Sequence, residues 1–402
     1  MDGTAPCPGR RSLIALAVCL CSFVALPALA DDASPPSPPP SVARISFVNG
    51  DVAVNRADSG DTVDAVVNAP LMVGDYLTTQ DNARAELEFD SGQALRLSAD
   101  TQLRVAGLDA AARSVQLAQG TIELRVLAPS AAYPQVQTPL VSLTPDKPGA
   151  YRITVLADGT TQITVRLGRA DIVAGTVSQP LDPGTTLTAS GSEQGIQFQP
   201  RPDDTVDDFD TWNSALDQIA QSSMSYRYVS ADIVGAGDLD AYGQWVNVSG
   251  YGMVWSPNVN AGWAPYTDGR WVWEPYYGWT WVAAEPWGWA PYHYGRWFYD
   301  NAAGWCWYPE RVHAYWRPAL VAFFSFGGGG GGFSAGFGNV GWVPLGPNEA
   351  IHPWWGERGN RRPVVINNVT NVTTITNVTS ITLNGDELRH TYRNFNAPGG
   401  VV

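Results

Sequence analysis

Between Val42 and Gln199 apolar and polar residues alternate in short runs. Ala85, Leu87 and Phe89 are interleaved with Glu86 and Glu88, Leu95 and Leu97 flank Arg96, and Leu103 and Val105 flank Arg104. The same two-residue period returns in Ile122-Leu124-Val126, Ile153-Val155 and Ile163-Val165-Leu167. A period of two sends one set of side chains to a buried face and the other to water. Asn49-Gly50, Ser91-Gly92 and Asp158-Gly159 punctuate the runs as hairpin turns do. Residues 42–199 are therefore expected to form an all-β domain, either a sandwich or a short solenoid.

The period changes once. From Asp203 to Gln221, Phe209, Trp212, Leu216 and Ile219 recur at helical spacing, behind a cluster of aspartates that suits a helix N-terminus. This predicts one linking helix within a 200–241 connector, its apolar stripe docked on a neighbour.

A third pattern begins at Tyr242. Tyr242-Gly243-Gln244-Trp245, Asp268-Gly269-Arg270-Trp271 and Tyr294-Gly295-Arg296-Trp297 fall 26 residues apart, and Trp255, Trp281 and Trp307 keep that interval. Gly262-Trp263-Ala264-Pro265-Tyr266 returns at the same offset as Gly288-Trp289-Ala290-Pro291-Tyr292. Three registers agreeing at one period mark tandem units over 242–320. Each unit reads as a β-hairpin. In the second, Trp271-Val272-Trp273 and Trp279-Thr280-Trp281-Val282 flank a turn from Pro275 to Gly278, so the indoles share a face and pair across the strands. A single hairpin cannot bury its own apolar face, so neighbours must stack. Residues 321–350 follow as a Gly-rich loop with a partial repeat, Gly341-Trp342-Val343-Pro344-Leu345. In the 351–402 tail, Ile366, Val369, Val372, Ile375, Val378 and Ile381 stand three apart among Asn and Thr. Such an apolar edge suits an extended segment that docks on the body or on another copy of the chain.

The N-terminus adds a location. Arg10 and Arg11, an apolar run from Leu13 to Leu26 and Pro27-Ala28-Leu29-Ala30 have the order of a secretory signal, with cleavage after Ala30. Residues 31–41 form a Pro/Ser-rich linker. The reading is an exported, periplasmic or outer-envelope protein with no membrane span after signal cleavage. Removal of residues 1–30 leaves Cys306 as the single thiol. The formal net charge is −14, which disfavours nucleic acid as a partner.

Val73-Gly74-Asp75-Tyr76-Leu77-Thr78-Thr79, Ala83 to Leu87, Asp90-Ser91-Gly92 and Leu95-Arg96-Leu97 resemble the core of the FecR domain. Thr101-Gln102-Leu103, Thr138-Pro139 and the stretch from Gly149 to Gly168 fit the same family. The resemblance implies a relay from an outer-membrane receptor to a cytoplasmic sigma factor. FecR proteins need a cytoplasmic segment and a membrane helix for that relay, and this chain has a signal sequence in their place. Tyr294-Gly295-Arg296-Trp297, Pro318 to Phe323 and Gly341 to Pro347 resemble a functionally uncharacterised family in which a FecR-like domain precedes a Trp/Tyr-rich region.

Candidate chemistry is sparse. The histidines, His293, His313, His352 and His390, have no metal-ligand spacing, and Cys306 has no second thiol nearby. Neither a nucleophile elbow nor a phosphate-binding Gly-Lys loop occurs. No catalytic residue, metal site or cofactor is expected, and the chain reads as non-enzymatic. The 17 tryptophans have two uses open to them. They form a packed core, or Trp255, Trp271, Trp273, Trp279, Trp281, Trp297 and Trp307 form a row that binds sugars or quaternary amines. Glu274, Glu285 and Glu310 lie beside the rings, where solvated edge charges are the expected state. An envelope protein or a polysaccharide is the expected partner.

Overall fold

The computed structural model describes residues 41–402 apart from 110, 193–194, 204–205, 311–314, 326–339 and 352–391. The export signal, the linker up to residue 40, the glycine tract and the period-three tail fall outside the described residues.

The period-two region folds as two sheets that share one long strand, Ser114–Val126. The first sheet runs in the order Pro70–Leu71, Ala43–Asn49, Arg84–Asp90, Gln93–Leu97, the shared strand, Gly149–Val155, Thr161–Leu167, Thr185–Ser192 and Gly195–Pro202. The second runs Thr62–Asp64, Val52–Asn55, Tyr76–Thr79, Thr101–Gly107, the shared strand, Gln135–Gln137, Ser142–Pro145, Ala170–Ala174 and Val177–Leu181. The inward residues of both sheets form one core, which includes Ile45, Leu77, Leu87, Leu103, Ile122, Ile153 and Ile172. Of the two architectures the alternation allows, the chain adopts the sandwich.

The shared strand changes sheets at Gly120. Residues 114–119 pair with Thr101–Gly107, and residues 120–126 pair with Gly149–Val155. Gly120 takes a φ of 97°, and a Cβ there would lie 2.5 Å from Thr101 Cα. Positive φ and missing space together require glycine. Gly120→Ala is expected to cost about 1–3 kcal/mol, read as a lower urea midpoint with an unchanged m-value.

Most of the alternating positions lie where the period puts them, with Leu87, Leu95, Leu97, Ile122, Ile153, Ile163 and Val165 fully buried. Leu167 departs from the pattern and is 60% exposed. The register slips between Ala150 and Tyr151, which pair with Leu167 and Val165 respectively. The extra residue breaks the alternation and turns Leu167 to solvent.

The linking helix is shorter than its aspartate cluster suggests, Asp208–Ser222. Asp207 caps it, and Asp207 and Asp210 each accept the other's backbone N–H at 3.0 Å. Its buried face takes only part of the apolar stripe: Phe209 is buried and Trp212 and Leu216 are half-buried. Asp210, Asn213 and Asp217 are buried, while Ile219 is 66% exposed. The cause is the surface beneath. Four adjacent strands of the first sheet each present one arginine to the helix: Arg96, Arg125, Arg152 and Arg166. Asp217 receives Arg96 Nη1 at 2.7 Å and pairs with Arg125, and Asp210 receives Arg152 at 3.0 Å and Arg166 at 2.8 Å. Arg96 also donates to Asn213 O at 2.7 Å and to Glu86. The outward positions expected in water are thus covered by a helix of opposite charge, because a buried guanidinium must be paired. Trp212 packs at the sheet margin, 5.3 Å from the Phe47 ring, with Arg84 5.2 Å over its own.

Candidate functional site

The Trp-rich half is built on three hairpins. Gly243–Val248 pairs with Gly252–Pro257, Gly269–Glu274 with Gly278–Ala283, and Arg296–Asp300 with Gly304–Tyr308. Their registers coincide. Trp245 faces Trp255, Trp271 faces Trp281, and Trp297 faces Trp307, each at the same position of its hairpin. The turn exits on Gly252, Gly278 and Gly304, with φ of 78°, 77° and 73°. An L-residue with a side chain rarely adopts that conformation, so glycine fixes the turn three times.

Stacking does not follow chain order. The first and third hairpins join edge to edge through the pair Trp255 and Trp307 and form a four-stranded sheet, while the second stands as a separate two-stranded sheet. Trp255 Nε1 donates to Leu239 O at 3.1 Å, and Trp307 Nε1 donates to Tyr294 O at 2.8 Å. The corresponding Trp281 N–H finds no acceptor among the described residues. The second hairpin packs instead against Val321–Ser325 and Val340–Pro344, with Trp271 5.0 Å from Phe323 and 5.4 Å from Trp342.

The stride of 26 therefore holds for the hairpins and lapses between them. Trp289–His293 is a short helix, whereas Gly262 to Tyr266 is irregular, with Tyr266 at φ 64°. The later echo, Gly341-Trp342-Val343-Pro344, lies on a strand paired with Val321–Ser325. It shares residue types with the earlier motif and not its conformation. The expected loop after residue 320 begins with that strand.

Of the seven rings considered as a ligand row, Trp255, Trp279, Trp281, Trp297 and Trp307 are buried, and Trp271 and Trp273 are half-buried. They meet other rings: Trp271 and Trp281 lie 5.1 Å apart, Trp273 and Trp279 5.4 Å, and Trp255 and Trp287 4.9 Å, all edge-on. Such T-shaped pairs place a positive ring edge on a negative face. Cys306 lies on the opposite strand face with Val254 and Phe298, in the slot that Val254 and Thr280 fill elsewhere. Burial pushes its thiol up to about 12, so it stays protonated at neutral pH.

Two carboxylates expected in solvent are buried. Glu274 pairs with Arg56 of the sandwich, and burial raises its carboxyl to about 7. Glu285 accepts from Trp263 Nε1 at 3.1 Å and from Tyr292 Oη at 2.9 Å, and burial raises its carboxyl as well. Glu310 remains near the surface, 3.5 Å from Arg296. The sandwich meets the Trp-rich half through groups that carry no local sequence signal. Arg44, fully buried, places Nη1 3.0 Å from Glu88 and Nη2 2.5 Å from Asp238, and lies 5.9 Å over the Trp289 ring. Asn68 accepts from Arg44 at 2.9 Å and donates to Glu285 O at 2.8 Å. A lone arginine at an outward strand position is the only trace such a clamp leaves in the sequence.

Among the described residues no three His, Cys, Asp or Glu side chains gather as a metal ion would require, and no helix is long and apolar enough to cross a membrane.

Residues 75–171 match the FecR protein family, and residues 236–349 match a family of unknown function (DUF6600). The chain carries a FecR domain. The matched stretch reaches from Tyr76–Thr79 to Ala170–Ala174, and the sandwich around the FecR domain adds strands from 43–71 and 177–202. The second match covers all three hairpins. No curated protein matches the chain. Two crystal structures of a candidate anti-sigma factor from Parabacteroides distasonis ATCC 8503 align at 14% identity and a TM-score of 0.29, over 32% of this chain. The aligned part spans 60% of their length, and a likeness of that extent carries no argument about function.

Proposed function

We propose that the chain is a non-catalytic binding protein of the bacterial cell envelope, with the FecR domain as its partner-facing module and the Trp-rich half as a rigid support. The observation that carries this reading is the clamp between the halves. Arg44 holds Glu88 and Asp238, Arg56 holds Glu274, and the Glu285 carboxylate accepts from Trp263 and Tyr292, so the carboxylates of this region are committed to partners within the protein. A carboxylate held by a buried guanidinium fastens structure and is poorly placed to shuttle protons to a substrate. The packed rings of the hairpins fit a support whose aromatic surface is spent on its own core.

The FecR match favours a second, narrower role, an accessory of FecR-type outer-membrane signalling. The order of charge, apolar run and small residues at the N-terminus supports export.

Fractionation of bacteria expressing the full chain, with N-terminal sequencing of the product, tests the reading. The expected product begins at Asp31 and is recovered with the envelope. Recovery of uncleaved chain from the cytoplasm would overturn it. Crosslinking to the periplasmic signalling domain of an outer-membrane receptor would select the narrower role.

A further inference from the structure

The sandwich has two outer faces of opposite chemistry. The first sheet turns arginines and carboxylates outward, and the linking helix and the Arg44 clamp cover them. The second sheet turns outward a row that crosses its strands. Asn55 pairs with Tyr76, Tyr76 with Arg104, Arg104 with Gln116, Gln116 with Gln137, and Gln137 with Ser142. One residue comes from each of six neighbouring strands, so the row extends for about 24 Å at the usual strand spacing.

The row is pre-organised. Arg104 Nη1 donates to Gln116 Oε1 at 3.1 Å, and Gln116 Nε2 donates to Gln137 Oε1 at 3.1 Å. The Arg104 guanidinium lies 5.7 Å over the Tyr76 ring, and Tyr76 is 45% exposed. No carboxylate stands in the row, although the chain as a whole carries −14.

Resting on the reading of the FecR domain as the partner-facing module, we propose that this row binds an uncharged polysaccharide laid across the strands of the second sheet. Each primary amide has two N–H donors and an oxygen with two lone pairs. Gln116 uses one donor and one lone pair within the row, and Gln137 uses one lone pair within it and one donor on Gln135. That leaves a donor and a lone pair on each for hydroxyls, which also donate and accept. The Tyr76 ring, steadied by Arg104, offers an apolar face to the C–H side of a sugar ring. Charge narrows the partner class: the net charge of −14 repels a polyanion, and the row's one cation, Arg104, is already turned onto the Tyr76 ring and Gln116 Oε1. A bound peptide strand would add at a sheet edge. The row runs perpendicular to the strands, and Pro180 of Val177–Leu181 removes a donor from one edge of this sheet.

Native affinity electrophoresis of the full chain through gels containing neutral glucans, mannans, xylans or galactans, with polygalacturonate as the anionic comparison, tests the proposal. Retardation by at least one neutral polymer is expected. Gln116→Ala, Gln137→Ala and Tyr76→Ala should each weaken it about fivefold or more. Thermal melts of the three variants should match the parent, since none of these side chains belongs to the core. Mobility unchanged by every neutral polymer, retardation by polygalacturonate alone, or neutral binding that all three substitutions leave intact would each overturn the proposal. A chain that reaches the envelope and binds no neutral polymer removes this inference and leaves the envelope-binding reading standing.

Discussion

Asp217→Ala is expected to lower the stability of the protein by about 3–5 kcal/mol. Asp217 is the carboxylate that both Arg96 and Arg125 address, from adjacent strands and beneath the linking helix. Its removal leaves Arg96 with Glu86 and Asn213, and leaves Arg125 with Glu123 as its one carboxylate among the described residues, a group that burial itself pushes toward the neutral form. An uncompensated buried charge is far more costly than the loss of a pair, because its hydration is not restored. Urea denaturation followed by tryptophan fluorescence reads the change as a shifted midpoint. Asp217→Asn keeps an acceptor and loses the charge, so it should fall between the two. Ile219→Ser separates this account from an apolar-stripe account of the same helix. Ile219 is largely exposed, so its replacement should stay within about 0.5 kcal/mol. A large effect at Ile219 and a small one at Asp217 would reverse the assignment of the buried face.

The second large effect is acid lability placed at His293. Its ring sits between Trp289, at 4.6 Å, and Trp316, stacked at 5.0 Å, with Nδ1 2.6 Å from Arg317 O. That carbonyl can only accept, so Nδ1 carries the proton of a neutral ring. Burial disfavours a second proton, the Arg44 guanidinium opposes it as well, and the group is pulled down to about 3. The folded value lies below the unfolded one of about 6.5. The stability it contributes is therefore full above 6.5 and is lost as pH falls toward 3, by about 1.4 kcal/mol per pH unit. Glu123 and Glu274, both raised to about 7 by burial, act with opposite sign: their contribution is full below about 4.5 and fades as pH rises through 7. The parent's own profile blends these trends, and the comparison with His293→Phe isolates the histidine. The stability difference between parent and variant should change by about 2.3 kcal/mol between pH 6.5 and 4.5, in the variant's favour as pH falls. Parallel profiles over that range would show that the ring is already solvated in the folded protein.

These two sites also mark where a linear reading of the chain stops. The helix was legible from the spacing of Phe209, Trp212, Leu216 and Ile219, yet the polar part of its buried face was not. That part follows from Asp210, Asn213 and Asp217, whose spacing is equally helical and gains meaning only when arginines from four strands lie beneath. The burial of Glu274 depends on Arg56, 218 residues away, and that of Glu285 on its place under Trp263 and Tyr292. A carboxylate carries no local mark of a partner that the chain supplies from its other half. The row from Asn55 to Ser142 is dispersed for the same reason, since sheet pairing alone brings its members side by side.

By itself the sequence determined whatever depends on near neighbours: strand alternation, hairpin turns on glycine, a helix with an acidic N-terminus, and the pairing of Trp271 with Trp281 and its two counterparts. Those follow from backbone sterics and from side chains a few residues apart. Only the tertiary structure decided the crossing of the shared strand at Gly120, the outward flip of Leu167, the union of the first and third hairpins, and the charged clamp between the halves. Each of these depends on desolvating groups that are distant in the chain, and the free energy of burial is set by what surrounds a group in space.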